Sequence, residues 1–119
     1  MLNQMVVVGR LVKDPELRET SDGKKVSNIT LAVPRSYKNS EGEYDTDFLD
    51  ITLWNSIAEN STEYVRKGDL LGVKGRITSR SIEQDGINKN ELVLVAEKVT
   101  FLSNTKTKRE EEIEKEKDI

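Results

Sequence analysis

The chain has 119 residues, enough for one domain with a modest core and a short tail. It holds no Cys and no His, which removes disulfides, the usual zinc ligands, the usual near-neutral general base and the commonest nucleophile–base pairs. Its 19 Lys/Arg against 22 Asp/Glu give a net charge of −3, so a site for a polyanion has to be a local basic stripe and not a global field.

Met1-Leu2-Asn3-Gln4 carries no basic residue and leads into only four apolar ones, too short for a secretory signal. No apolar run approaches the roughly 18 residues of a membrane helix, and no membrane partner is expected. Residues 5–12 read as a first strand, a near-continuous β-branched run that suggests burial on both faces or a place in a barrel. Gly9 inside it predicts a bulge or a sharp bend. Asp14-Pro15 ends the run, and Ser21-Asp22-Gly23 signals a turn. Residues 25–33 alternate, with Ile29, Leu31 and Val33 on one face, until Pro34 ends or bulges the strand. Asn39-Ser40-Glu41-Gly42 reads as a loop.

Residues 44–54 form a third strand. Leu49, Ile51 and Leu53 share the inward parity, while Tyr44, Phe48, Asp50, Thr52 and Trp54 share the other, so three aromatic rings lie on the face the core does not use. The period then changes: Ile57, Ser61, Tyr64 and Val65 make one face of a short helix, Ser56 and Glu59 fit a capping box, and Arg66, Lys67 and Gly68 fit its end. Tyr64 reads as core, and Phe101 as core or interface. Residues 70–82 return to period 2, with Leu71, Val73, Gly75 and Ile77 on one side and Lys74, Arg76, Thr78 and Arg80 on the other. Asp85-Gly86 falls in a connecting loop, and residues 91–102 give the last strand.

The order strand, strand, strand, helix, strand, strand predicts an all-β fold: a five-stranded OB-fold barrel with one short helix between strands 3 and 4. Residues 1–102 would form this domain, with 14 Lys/Arg against 16 Asp/Glu, and 103–119 a charged flexible or frayed-helical tail with 5 against 6.

Unpaired nucleic acid offers base faces and a flexible polyanion, and a binder needs flat rings for the first and cations for the second. Phe48 and Trp54 are six residues apart on one strand face, about 20 Å; Lys74, Arg76 and Arg80 line another, and Arg10, Arg35 and Tyr37 could join them. By parity alone Trp54 reads equally as a ring that seals the barrel mouth, and the Lys/Arg alternation as a solvated face. Asp45, Asp47 and Asp50 lie within six residues, enough to imagine a Mg²⁺ site, but one loop-and-strand segment gives no closed cage. No cofactor and no catalysis are expected.

Val6-Val7-Val8-Gly9-Arg10-Leu11, Lys13-Asp14-Pro15-Glu16-Leu17-Arg18, Ile29-Thr30-Leu31-Ala32-Val33 and Asp47-Phe48 through Leu53-Trp54 resemble the bacterial single-stranded DNA-binding proteins. So do Ala58-Glu59-Asn60 through Lys67-Gly68, Val73-Lys74-Gly75-Arg76-Ile77, and Ala96-Glu97-Lys98-Val99 with Phe101-Leu102. The resemblance implies an OB-fold that assembles as a homotetramer and holds single-stranded DNA in replication, recombination and repair, in the cytoplasm with the nucleoid. It puts the family's stacking rings on Tyr37, Phe48 and Trp54, and backbone contacts on Arg10, Arg35, Lys67, Arg76 and Arg80. Two departures stand out. Ile82 occupies a position where many members carry a further aromatic. The family's acidic tip closes with Asp-Ile-Pro-Phe, which recruits replication and repair proteins, whereas this sequence ends in Asp118-Ile119, so recruitment is expected to be weak or absent. The alternative is a partner-binding OB module of a replication or restart complex with weak DNA affinity; it would lack exposed rings at Tyr37, Phe48 and Trp54.

Overall fold

The computed structural model describes residues 1–103, so the expected charged tail lies outside the described residues apart from its first position. Six strands and one helix follow in the order β1 (Met5–Leu11), β2 (Arg18–Glu19), β3 (Lys25–Lys38), β4 (Tyr44–Trp54), α1 (Asn55–Tyr64), β5 (Leu70–Gln84) and β6 (Ile87–Ser103). Five of the strands close on themselves in the order β1, β5, β6, β4, β3, because β1 pairs with both β5 and β3. All these pairs are antiparallel except β4 with β6, where Ile51 faces Leu94 and Thr52 faces Val95 in parallel. A parallel pair needs a long crossover, and α1 with β5 supplies it. The expected OB-type barrel is therefore present. The additional β2 is a two-residue edge on β3, too short to leave a periodic trace in the sequence.

Leu11, Ile29, Leu31, Ile51, Leu53, Leu71 and Val73 are fully buried and meet inside the barrel, as their alternation predicts. Ala58, Ser61 and Val65 bring α1 into the same core. Leu49 is only half-buried and Ile77 is exposed, because both lie where their strands leave the barrel as arms of the β3–β4 and β5–β6 hairpins. Burial of β1 on both faces does not occur: Val6 is 72% exposed on the outer side.

Gly9 makes no bulge; its pairing with Leu71 stays in register. It stands next to Arg10, the residue at which β1 pairs with both β5 and β3, and a Cβ on it would come within 2.7 Å of the Ala32 carbonyl oxygen. Gly75 serves the same purpose on the other side, where a Cβ would collide with the Val95 carbonyl oxygen beside a register shift between β5 and β6. Pro34 does mark a bulge, and β3 then continues to Lys38. Asp85 and Gly86, at φ 54° and 76°, form a two-residue turn between Gln84 and Ile87. The expected connecting loop is thus a tight hairpin of the kind that matches strand twist, and β6 starts four residues earlier than its apolar pattern.

The helix departs from its expected caps. It begins directly after β4 with Trp54 at the N-cap and no side-chain cap bond, so Ser56 falls inside the first turn and the capping box cannot form. It ends at Tyr64, and Arg66 then folds back, its Nη1 donating to the Thr62 carbonyl at 3.1 Å and the Val65 carbonyl at 2.7 Å. Tyr64 is not core: it is 54% exposed and rests against the Phe101 ring. Beyond the helix, Asp69 is buried. Its Oδ2 accepts the Arg66 N–H and its carbonyl accepts the Leu11 N–H, which ties the helix exit to the end of β1.

Candidate nucleic-acid interface

Barrel alternation that sends Ile29, Leu31, Ile51 and Leu53 inward sends their neighbours outward. Across β3 and β4 the outward residues fall in register rows: Val26 opposite Trp54, Asn28 opposite Thr52, Thr30 opposite Asp50, and Ala32 opposite Phe48. The middle rows are cross-linked, Thr52 Oγ1 donating to Asn28 Oδ1 at 2.9 Å and Thr30 Oγ1 to Asp50 Oδ1 at 2.6 Å. A polar floor thus lies between two rings. Phe48 is 65% and Trp54 37% exposed, so the barrel-mouth reading of Trp54 accounts for only part of its surface.

The floor continues through Thr52 to Val95 of β6 and Arg76 of β5. From there the β5–β6 hairpin rises as a wall, with Thr78, Arg80, Glu91 and Val93 facing Trp54, Thr52 and Asp50 across a groove of about 930 Å³. Tyr37, 63% exposed, stands beyond the Pro34 bulge on the arm of β3. Tyr44, opposite Lys38 on that arm, lies under the Lys38 ammonium at 5.8 Å. The arm's tip is ordered by Asn39, whose Oδ1 accepts the Glu41 and Glu43 N–H groups.

Residues 2–102 match the model of the single-strand binding protein family. The chain belongs to that family. It is 48% identical over 103 residues to single-stranded DNA-binding protein B of Bacillus subtilis, covering 86% of this chain and 91% of that one. It is 46% identical over 105 residues to single-stranded DNA-binding protein 3 of Listeria innocua, and 45% over 103 residues to a single-stranded DNA-binding protein of Bacillus cereus. The matched region spans 66% and 61% of the length of those two relatives.

The cations expected from this family's pattern occupy distinct settings. Arg10 lies in one row with Ala32 and Phe48, its backbone two strand spacings or about 10 Å from that of Phe48, and its Nη1 donates to the Gly68 carbonyl at 3.1 Å. Lys67 donates its backbone N–H to Asp14 Oδ1 at 2.7 Å, and the residue is exposed. Arg35 is clamped by Asp47, Nη2 to Oδ1 at 3.0 Å and Nε to both oxygens, with Asp45 at 3.9 Å. That hydrogen bonding raises the Arg35 guanidinium above its ordinary range and, with the positive charge, holds the Asp47 carboxyl below its own. Arg80 is likewise paired with its cross-strand partner Glu91 at 2.8 Å.

Lys74 shares the parity of Arg76 and Arg80 but sits between Val6 of β1 and Lys98 of β6, around the barrel from the groove. Conversely, Lys13 and Arg18 line the groove although their loop shows no periodicity to reveal it. Arg18 enters only because the two-residue β2 pairs with β3. Asn28, Thr30 and Thr52 were legible as outward residues, but only their side-chain bonds identify them as a floor. The acids Asp45, Asp47 and Asp50 do not form one cluster: Asp45 and Asp47 both lie against Arg35, Asp45 also accepting from Asn39, whereas Asp50 accepts from Thr30. Among the described residues no group of three acids is placed to hold a metal ion, and no helix is long and apolar enough to cross a membrane. Ile82, half-buried, continues the groove-side parity two residues past Arg80.

Proposed function

We propose that this protein binds and protects single-stranded DNA without strong sequence preference, as part of DNA replication, recombination and repair in the cytoplasm and nucleoid. Bases stack on Trp54, Phe48 and Tyr37, and phosphates meet Arg10, Lys67 and Arg76, with Arg35 and Arg80 at the margins. The observation that carries this reading is the pair of exposed rings, Phe48 and Trp54, on the outer face of one barrel strand with a hydrogen-bonded polar floor between them. Stacking is sequence-tolerant because every base has a π face, and each ring contributes about 1–3 kcal/mol. The work is equilibrium binding, with no covalent step and no cofactor. Residues 1–102 form the binding domain.

Self-association into a homotetramer belongs to the same proposal. The outer face of β1 exposes Val6 and Val8, and Leu102 lies over Gly72, the register partner of Val8. Exposed aliphatic side chains of this kind suit a protein partner, here another copy of the chain.

Titration with a fluorescent oligo-dT at low and high salt, following Trp54 emission, tests the function. Tight, salt-dependent binding with Trp54 quenching is expected. Absence of binding even at low salt would remove the DNA reading and leave the partner-binding module.

A further inference from the structure

Two of the cations at the margins of the phosphate path are already paired with carboxylates. Arg35 presents Nε and Nη2 together to Asp47, and Arg80 presents Nε at 2.9 Å and Nη2 at 2.8 Å to Glu91 Oε2. Both carboxylates sit on strands directly beside their partners, Asp47 on β4 across the Pro34 bulge and Glu91 on β6 in register with Arg80, so the sheet itself holds each pair together. The groove repeats the balance: Lys13, Arg18 and Arg80 stand against Glu19, Asp50 and Glu91 in its lining. Glu19 is in turn paired with Lys25 at 3.3 Å.

A phosphate that approaches a bare guanidinium gives up its condensed counterion, and that release drives polyanion binding. A phosphate that approaches a guanidinium already held by a carboxylate meets a neutral pair, and no counterion is released unless the carboxylate is displaced. Base stacking has no such dependence. We infer that Asp47 and Glu91 are specificity-determining residues of this interface. They act as built-in counter-anions to Arg35 and Arg80, so that a polyanion without exposed base faces gains nothing there, while a single strand still binds through its bases. This rests on the single-stranded DNA reading and says how that site discriminates.

The test compares the full chain with Asp47→Asn, Glu91→Gln and the double variant, binding oligo-dT, a DNA duplex of equal length and inorganic polyphosphate over a salt series. Both carboxylates are partly exposed and both changes nearly isosteric, and thermal melting verifies folding. The salt slope for oligo-dT should steepen by ~0.7 for each guanidinium released. Affinity for duplex and polyphosphate should rise about two- to fivefold per variant, the scale of an exposed ion pair. A second measurement is Arg80→Ala, which should remove ~0.7 from the slope in the Glu91→Gln background and clearly less in the parent chain. An unchanged or shallower slope in the double variant, with oligo-dT binding intact, overturns the inference and makes the carboxylates simple supports for the arginines. Failure of the parent chain to bind oligo-dT at low salt instead overturns the DNA reading itself, and the inference with it.

Discussion

The outer faces of β1 and β4 cover the same core and obey the same alternation, yet they are built for different ligands. On β1 the outward residues Val6 and Val8 are aliphatic and β-branched, with Leu102 over Gly72 beside Val8 and with Lys74 and Arg10 flanking them. On β4 the outward residues Phe48 and Trp54 are flat rings separated by Asp50 and Thr52, each of which is hydrogen-bonded to β3. An aliphatic surface gains by excluding water against another apolar surface. A ring beside hydrogen-bonding groups accepts a base, whose face is apolar and whose edge is not. Alternation therefore says which side of a strand is buried, while the chemistry of the other side says what will cover it.

The largest separation of the two faces should come from Val6→Asp with Val8→Asp. An unpaired carboxylate in an apolar interface costs about 3 kcal/mol or more, so sedimentation should show the proposed self-association lost, while each barrel still binds a short dT oligonucleotide. Loss of that binding along with assembly would merge the two faces into one site. Next come Phe48→Ala and Trp54→Ala, each expected to weaken oligo-dT binding by about 1–3 kcal/mol with assembly unaltered in sedimentation. A smaller change is expected for Arg10→Ala, whose cation bonds the Gly68 carbonyl and, among the described residues, no carboxylate: the salt slope should fall by ~0.7 and affinity should drop evenly across sequences.

The smallest effect concerns the pair at the edge of the β4 face. The hydrogen bond from Arg35 holds the Asp47 carboxyl below its usual 3.8, so its contribution to stability is present above about pH 4 and is lost as pH falls through its folded value. Melting curves of the parent and Asp47→Asn should differ slightly at neutral pH, with the parent the more stable, and converge in acid. A difference that widens on acidification would place the Asp47 partner elsewhere.

Much of this arrangement was legible in the linear chain. The pairs Ile29 and Leu31, Ile51 and Leu53, and Leu71 and Val73 declared three strands and their buried sides, and the same parity put Phe48 and Trp54 outside. The helix was visible from Ile57, Ser61, Tyr64 and Val65, although Ala58 and not Tyr64 turned out to be buried, and its start was not, because β4 runs into it without a break and Trp54 takes the cap position that Ser56 was expected to hold. Arg80 was recognisable as an outward cation and Arg35 as a candidate through the resemblance, whereas their carboxylate partners were not, since a partner eleven or twelve residues away on the neighbouring strand leaves no local signature.

The amino-acid sequence by itself determined the order of the five barrel strands and the helix, and most of the core, because these follow from periods of two and 3.6 residues and from where Gly and Pro interrupt them. Only the tertiary structure decided which outward side chains share a surface. Lys74 and Arg80 have the same parity on one strand, yet barrel closure through Gly9 and Gly75 turns Lys74 toward Val6 and leaves Arg80 over the groove. Lys13 and Arg18, in a segment without period, arrive at that groove because β2 pairs with β3. Local pattern sets the direction of a side chain relative to its own backbone, and the curvature of the closed sheet then sets where that direction points.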